Sequence, residues 1–279
     1  MPEGWEWDET LFAGSARHYD QGRLPYPAGL REAFASMADL DGRPRLIDVG
    51  CGPGTVALLL SGLFDDVVGV DPDAAMLHEA ARLAEERGVE HVTWVRAMAE
   101  ELPAGLGRFR YATFAQSFHW MDRPVVARRI FQLLEPGGAF VHVGGAEVAT
   151  PPPAVPPPHP PPPDEAVDAL VRRHLGPERR AGQGVLRHGT PGDEWLVLRA
   201  AGFGPAETVL VEGRDVLTRT IDDIVAGVFS RSGSAPHLFG PRLGHFEAEL
   251  RTVLEDAAGE DGVFSVQVPD LALVLYRKP

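Results

Sequence analysis

The chain has 279 residues, and its 40 acidic side chains outnumber its 26 Lys and Arg residues to give a formal net charge of −14. Such a surface repels nucleic acid, because neutralising phosphates requires clustered cations. The single cysteine, Cys51, excludes a disulfide within the chain and a metal site built from cysteines. No run approaches the ~18 apolar residues of a membrane span. We therefore expect a cytoplasmic protein that binds neither nucleic acid nor a membrane.

The first part of the chain, residues 1–44, is predicted to form helices and a flap. Its segment from Tyr19 to Pro27 mixes aromatic residues with Arg23 and two prolines. Proline fixes φ and lacks an N–H, so this segment is predicted to be a stiff loop. It either packs its aromatic residues on the core or closes over a ligand, with Tyr19 and Arg23 facing that ligand. A helix over residues 30–37 follows.

Between residues 45 and 146, strand patterns alternate with helix patterns at short intervals, which is typical of βαβ units and of an α/β, doubly wound sheet. Asp73 is a helix N-cap candidate and Gly88 a C-terminal stop. The predicted strands are 46–50, 67–71, 91–95, 111–115 and 139–143, and the predicted helices begin near Thr55, span 73–88 and span 124–134.

Residues 147–193 are predicted to form a connector and a cap helix, and residues 194–279 the remaining strands with inserted cap helices. The connector is almost entirely proline over 151–163. Polyproline II geometry favours a semi-rigid spacer there over a ligand for a partner's proline-binding module. The predicted helices are 164–175, 194–201, 220–230 and 242–257; a strand covers 207–212, and a last strand or hairpin covers 264–268 and 271–276.

The loop after the first predicted strand carries three alternate glycines, Gly50, Gly52 and Gly54, after Asp48. A strand, a tight turn and a helix N-terminus in this order bind nucleotide-like ligands at the carboxyl end of a parallel sheet. The dinucleotide fingerprint G-x-G-x-x-G is not met, and Pro53 has no N–H to offer a phosphate. Asp48 adds a negative charge there. The loop therefore suits a ligand without phosphate and with a cationic end, such as S-adenosylmethionine.

A second carboxylate, Asp71, closes the next predicted strand, roughly 20 residues beyond the glycine loop. In doubly wound folds a carboxylate at this place accepts hydrogen bonds from the two ribose hydroxyls. Asp48 lies earlier in the chain and is placed to face the cationic end of the ligand, directly or through water. The alternative for either aspartate is a helix cap or a turn residue.

Several stretches now match a known family. Residues 46–55, 68–77 and 99–103, the segment His119-Trp120-Met121-Asp122 and the segment Arg23-Leu24-Pro25-Tyr26-Pro27 are similar to those of class I S-adenosylmethionine-dependent methyltransferases. The chain most resembles the small-molecule branch (methyltransferase type 11), which contains the ubiquinone/menaquinone and trans-aconitate methyltransferases. The resemblance covers residues 12–145 and concerns the cofactor more than the acceptor. Three departures are Met98, where many relatives have an acidic residue, Arg110-Tyr111, where many begin the fourth strand with Phe-Asp, and Leu24, where the motif has proline.

The resemblance implies a Rossmann-like, mostly parallel seven-stranded sheet whose last strand is antiparallel, with helical cap insertions. It also implies how S-adenosylmethionine is held. The three glycines would pass under its methionine and ribose portions, Asp71 would hold the ribose diol, and Met76 would pack on the adenine. The full set of expected cofactor residues is Tyr19, Arg23, Asp48, Gly50, Cys51, Gly52, Gly54, Asp71, Pro72, Met76, Ala99, Glu100, Gln116 and Trp120.

Methyl transfer from a sulfonium requires alignment and a nucleophile in the correct protonation state. His119 is the first candidate base, because it follows the fourth predicted strand and histidine titrates near neutral pH. The alternative is that His119 and Trp120 are wall residues. His237 lies in a turn-rich loop and is a second candidate. The histidines show no metal-ligand spacing, so no metal is expected.

These patterns together predict an S-adenosylmethionine-dependent methyltransferase whose acceptor is a small, apolar or aromatic metabolite. Whether oxygen, nitrogen or carbon is methylated stays open, and natural-product tailoring is one setting. The alternatives are a cofactor-binding regulatory or assembly protein without turnover and, less favoured by the loop, an NAD-type oxidoreductase. The protein is expected to be a monomer or a homodimer.

Overall fold

The computed structural model describes residues 10–42, 44–102, 104–145, 150–177 and 193–279. The helices are α1 Ala16–Gly22, α2 Leu30–Met37, α3 Thr55–Leu60, α4 Ala74–Glu86, α5 Arg123–Leu133, α6 Asp164–Leu175, α7 Glu194–Ala200, α8 Ile221–Phe229 and α9 Leu243–Ala257. The strands are β1 Arg45–Val49, β2 Asp66–Asp71, β3 Val92–Arg96, β4 Phe109–Ala115, β5 Leu134–Gly145, β6 Ala206–Val211, β7 Val216–Thr220, β8 Val263–Gln267 and β9 Leu271–Arg277. None of the helices in the described ranges is long and apolar enough to cross a membrane.

Seven strands form one sheet in the order β3-β2-β1-β4-β5-β9-β6. The pairs from β3 through β5 are parallel, and β9 runs antiparallel to both of its neighbours, β5 and β6. The predicted seven-stranded Rossmann-like sheet with an antiparallel last strand is therefore confirmed. The strand order reverses between β1 and β4. A doubly wound sheet opens a ligand crevice at this point, outside the carboxyl ends of the strands.

The sheet is buried on both faces, which is why its central strands are nearly continuous apolar runs. Successive side chains of a strand point to opposite faces. Leu46 accordingly packs in a cluster with Phe34 of α2, whereas its neighbour Ile47 packs with Phe114 and Phe140 on the other face.

A cap follows the sheet's last parallel strand in sequence and has its own apolar core. Helices α6, α8 and α9 pack around Phe229, Phe239, Phe246 and Phe264, with β7 and β8 as a two-stranded antiparallel sheet. The proline-rich connector is fastened to this small sheet, because the backbone N–H of Ser265 donates to the carbonyl of Pro160 at 3.0 Å. The described part of the connector therefore runs along the cap.

Three predictions about local structure were wrong. The segment predicted as a stiff loop from Tyr19 begins inside α1, which ends only at Gly22. Both segments over 264–268 and 271–276 form strands, but the hairpin, one of the two alternatives for them, is wrong, since β8 pairs with the unpredicted β7 and β9 enters the large sheet. Strand β5 begins at Leu134 and not at the predicted residue 139, and its pairing with β4 shifts register near this start. Long-range strand pairing, which local patterns do not report, decided the second and third cases.

Candidate active site

The glycine loop is hydrogen-bonded to the end of the neighbouring strand, β2. The backbone N–H groups of Gly50 and Cys51 both donate to the carbonyl of Val70, at 2.8 and 3.0 Å. Gly50, Gly52 and Gly54 have φ of +67°, +54° and +78°, a region that favours glycine. The alternate glycines are therefore required by the backbone path of this turn.

Asp48 lies at the end of β1 with a relative exposure of 1%. Its Oδ1 accepts a hydrogen bond from the Thr113 hydroxyl at 2.7 Å, and its Oδ2 accepts one from the backbone N–H of Ala57 at 3.1 Å. Burial raises the pKa of Asp48 to about 7, although these two hydrogen bonds oppose the shift. Asp48 thus joins the glycine loop to α3 and β4, and its charge is poorly compensated in the absence of a cation.

Asp71 lies at the end of β2 and orders the backbone around it. Its Oδ2 accepts from the N–H of Gly52 and its Oδ1 from the N–H of Asp73, both at 2.9 Å. Burial raises the pKa of Asp71 to about 6. Each carboxylate oxygen can accept more than one hydrogen bond, so a diol can be bound without breaking either backbone contact.

Two adjoining cavities lie over the carboxyl ends of β1, β2 and β4. The first cavity, of about 90 Å³, lies beyond Asp71. Its lining consists of Phe12, Tyr19, Gly50, Gly52, Val70, Asp71, Pro72, Met76, Ala97, Met98, Ala99, Glu100, Ala115, Gln116, Ser117, Trp120 and Met121.

The second cavity, of about 380 Å³, lies between the glycine loop, the N-terminal arm and the cap. Its lining includes Arg23 from the arm, Asp48 and Cys51 from the sheet edge, and Arg231 from the cap. Both cavities share the residues Tyr19, Gly50, Gly52, Ala115 and Gln116. The two spaces therefore meet over the glycine loop.

The wall where the cavities meet is strained. Gln116 has φ +54°, the positive value that a non-glycine residue rarely adopts, and it follows directly after β4. The indole N–H of Trp120 donates to the carbonyl of Gln116 at 3.1 Å, which helps to hold this conformation. Phe12 packs edge-on against Trp120 with the ring centroids 5.7 Å apart. Strain of this kind is concentrated at ligand-binding sites.

The structure gathers most of the predicted cofactor residues in this region, but it places three of the predicted site residues away from it. Gly54 lines neither cavity, and a Cβ there would lie 2.4 Å from Trp94. His119 lines neither cavity, and its burial lowers its pKa to about 4 with further contributions from His142 and Arg123. His237 also lines neither, and its Nδ1 lies 3.1 Å from the carbonyl oxygen of Ala13. Their functional roles stay predictions.

Several cavity residues carried no signal in the sequence. Ser117 lies in the stretch after β4, and no pattern in the sequence distinguishes it. Arg231 and Asp270 reach the second cavity from distant parts of the chain, and no motif surrounds them. Phe12 reaches the first cavity from the N-terminal arm.

The space above Gly52 and the carboxylates around the two cavities suit S-adenosylmethionine. A Cβ built on Gly52 meets no protein atom within 4 Å, so the space above this glycine is open and a side chain would intrude into it. Asp71 retains acceptor capacity for a diol, while Asp48 places a carboxylate near the second cavity for a cationic group. These features match the ribose and the cationic end of the cofactor.

The order of the sheet, the glycine loop and the carboxylate on β2 define a Rossmann-like protein of the nucleoside-binding kind. Residues 46–138 match the family model of a methyltransferase domain. Residues 46–138 therefore form a methyltransferase domain, and this part of the chain is similar to the class I S-adenosylmethionine-dependent methyltransferases, whose members use S-adenosylmethionine as methyl donor.

Individual relatives agree with this assignment. An uncharacterized methyltransferase, YcgJ of Bacillus subtilis, is 28% identical over 137 residues, which are 49% of this chain and 54% of that protein. A probable S-adenosylmethionine-dependent methyltransferase of Saccharomyces cerevisiae, CRG1, is 27% identical over 128 residues, 44% of this chain and 43% of that protein. The chain spans about half the length of these curated relatives.

A solved structure supports the same fold over a longer stretch. The crystal structure of the Bacillus subtilis YcgJ protein covers 89% of this chain and 98% of its own, with a TM-score of 0.51 and 20% identity. At this identity the likeness concerns the fold.

Proposed function

We propose that this protein transfers the methyl group of S-adenosylmethionine to a small-molecule acceptor bound in the second cavity. The observation that carries the proposal is the meeting of two cavities over Gly50 and Gly52, one beside Asp71 and the other under the cap. When bound, the cofactor supplies an activated methyl group on a sulfonium sulfur. The chain's own residues then have to bind the cofactor and the acceptor, orient them toward each other and exclude water from the site.

For the cofactor we assign the adenosine portion to the first cavity. Asp71 accepts hydrogen bonds from the ribose diol, while Met76 and Pro72 flank the adenine. The methionine portion passes over Gly52 into the second cavity, toward Asp48, Tyr19 and Arg23. The lining of both cavities and the chemistry of these side chains support this assignment.

For the acceptor we propose a small, largely apolar or aromatic metabolite. Leu24, Tyr26, Val56 and Leu271 contribute an apolar wall to the second cavity. Its volume of about 380 Å³ is within the range of small-molecule sites and is shared with the methionine portion. Natural-product tailoring is the setting that we would test first.

Proton removal is assigned to no histidine in this proposal. Among the described residues that line the two cavities there is no histidine or lysine. An acceptor that is already ionised, or that loses its proton to water, is compatible with such a lining. His119→Ala is then expected to keep turnover within about threefold, whereas a loss beyond about tenfold at unchanged cofactor affinity would support His119 as the base.

The proposal is tested first by calorimetric titration with S-adenosylmethionine and S-adenosylhomocysteine. Micromolar binding is expected, and NADH is the control ligand. Binding of NADH with no binding of either sulfur compound would contradict the proposal. A panel of aromatic and polyketide-like metabolites with methyl-labelled cofactor then tests transfer. Tight cofactor binding without labelled product across a wide panel would favour a regulatory or assembly protein.

A further inference from the structure

The N-terminal arm, here residues 10–27, is attached to the cap where it passes the cofactor region. Helix α1 lies against α8, and the Ser15 hydroxyl donates to the carbonyl of Phe229 at 2.7 Å. At the other end of α1, the Gln21 amide donates to Oδ1 of Asp223 at 3.1 Å. The arm is thus attached to the cap at both ends of its helix.

The two helices approach unusually closely where the arm leaves α1. A Cβ on Gly22 would lie 2.3 Å from the carbonyl carbon of Ala226, and one on Gly227 would lie 3.0 Å from the carbonyl oxygen of Gly22. Gly22 and Gly227 both line the second cavity. The close approach therefore fixes the position from which Arg23 extends toward the cavity.

Arg219, at the end of β7, lies beneath this junction and is only 8% exposed. Its guanidinium donates to the carbonyl oxygens of Gln21 and, at 3.4 Å, of Arg23. It also donates to the carbonyl of Asp223 at 3.4 Å, and its Nε lies 3.8 Å from Oδ2 of the same residue. One buried side chain therefore joins the last turn of α1, the residue after it and the start of α8.

The chemistry of this contact suits arginine in particular. The last carbonyls of a helix lack intrahelical partners and carry partial negative charge, so a cation beside them is stabilising. A guanidinium holds several N–H donors in one rigid plane, whereas an ammonium is a point charge on a flexible stem. A lysine at position 219 would keep the charge but would not satisfy carbonyls on two helices at once.

By holding the end of α1, Arg219 affects the side chains of Arg23 and Tyr19, which lie at the second cavity. Arg23 donates to the carbonyl of Ser230 at 3.0 Å, and its guanidinium stands 4.8 Å above the ring of Tyr19. Both side chains line the second cavity, and Tyr19 lines the first as well. Arg219 does not line either cavity, so its effect on a ligand has to pass through the elements that it contacts, which are the arm and α8.

We propose that Arg219 is the positioning residue that holds Arg23 and Tyr19 over the amino-acid portion of the bound cofactor. The inference rests on the proposed function, because it assigns the second cavity to that portion. It predicts a loss of affinity confined to ligands that carry the amino-acid portion. A purely structural role would weaken all nucleoside ligands alike or none of them.

The test compares S-adenosylhomocysteine with 5′-methylthioadenosine, which lacks the amino-acid portion, by calorimetric titration. Arg219→Lys is expected to weaken S-adenosylhomocysteine by about tenfold and methylthioadenosine by less than about twofold. The matched control is Arg214→Lys, whose side chain is 82% exposed and pairs with Glu212; it should change neither affinity. Unchanged binding of S-adenosylhomocysteine in Arg219→Lys, or equal losses for both ligands, would overturn the inference.

A second variant keeps the test decisive if Arg219→Lys does not fold. Arg23→Met is expected to show the same selective loss, and it can be measured whether or not Arg219→Lys folds. Where Arg219→Lys does fold, adding it to Arg23→Met should lower the affinity for S-adenosylhomocysteine by less than a further twofold or so, because Arg219 acts through the arm. Full affinity in Arg23→Met overturns the inference. Failure of the wild-type protein to bind S-adenosylhomocysteine would instead refute the proposed function, and the inference with it.

Discussion

Oε1 of Glu100 accepts a hydrogen bond from the backbone N–H of Asp122 at 2.6 Å. This contact joins the wall of the first cavity to the start of α5, where Oδ1 of Asp122 caps the N–H of Val125 at 3.2 Å. The other oxygen of Glu100 is buried without a hydrogen-bond partner. Glu100, one of the expected cofactor residues, therefore also stabilises the start of α5.

Glu100→Ala removes the acceptor of a part-buried N–H and is expected to lower the free energy of unfolding by about 2 kcal/mol. Glu100→Gln keeps an oxygen at this place and removes a poorly compensated charge, so it should stay within about 1 kcal/mol of the wild type. Urea unfolding of both variants measures the difference. Equal stability of Glu100→Ala and the wild type would show that the contact with Asp122 contributes little.

Alanine substitutions at Gly52 and Gly54 are expected to impair different properties, namely ligand affinity at Gly52 and stability at Gly54. Alanine at either position is strained by the positive φ, at about 1 kcal/mol. At Gly54 the new Cβ also meets Trp94 at 2.4 Å, so Gly54→Ala should lose about 3 kcal/mol of stability in urea unfolding. At Gly52 the Cβ enters the open cavity, so Gly52→Ala should remain folded and lose about tenfold in affinity for S-adenosylhomocysteine. Normal binding by Gly52→Ala would place the ligand elsewhere.

Asp71 and Asp73, which are separated only by Pro72, allow a matched test of the ribose contact. Asp71→Ala is expected to weaken S-adenosylhomocysteine by about tenfold or more, since a buried charged acceptor of the diol is lost. Asp73 instead caps α4 by accepting from the N–H groups of Ala75 and Met76 at 2.8 and 3.3 Å. Asp73→Ala should cost about 1 kcal/mol of stability and leave the affinity within about threefold. Similar affinity losses in both variants, measured by calorimetry, would argue against a specific role for Asp71.

The buried carboxyl of Asp48 is expected to make stability depend on pH. Its pKa is about 7 in the folded protein against an ordinary value of 3.8, chiefly because of burial. The folded state therefore binds more protons between these values, so the stabilisation is complete below about pH 4 and is lost as the pH rises through about 7. Relative to that of Asp48→Asn, the free energy of unfolding of the ligand-free wild type should fall by about 2 kcal/mol or more between about pH 5 and pH 8.

Asp48→Asn is a suitable reference because its amide keeps both contacts. The side-chain oxygen can accept from the N–H of Ala57, and the NH₂ group can donate to the Thr113 hydroxyl. Urea unfolding at several pH values, carried out on both proteins, isolates the titration of this one group. If the free energies of unfolding of the two proteins change with pH in parallel, Asp48 titrates in the ordinary range of an aspartate.

Much of the core was predictable from local patterns. Asp73 does cap α4, and α6 spans the predicted residues 164–175. Such features depend on neighbouring residues and on the periodicity of apolar side chains. The strand β7 was missed and β8 was given the wrong partner, because β pairing depends on segments that are far apart in the chain.

The candidate site likewise has residues that local sequence patterns identify and residues that only contacts between distant segments identify. The sequence by itself determined the glycine loop, Asp48, Asp71 and the family they indicate, since their spacing follows from one strand, one turn and the next strand. Only the tertiary structure decided that Gly54 packs on Trp94, that His119 stays outside both cavities, and that Arg219 holds the arm. These depend on how distant elements pack in space, and no local spacing encodes such contacts.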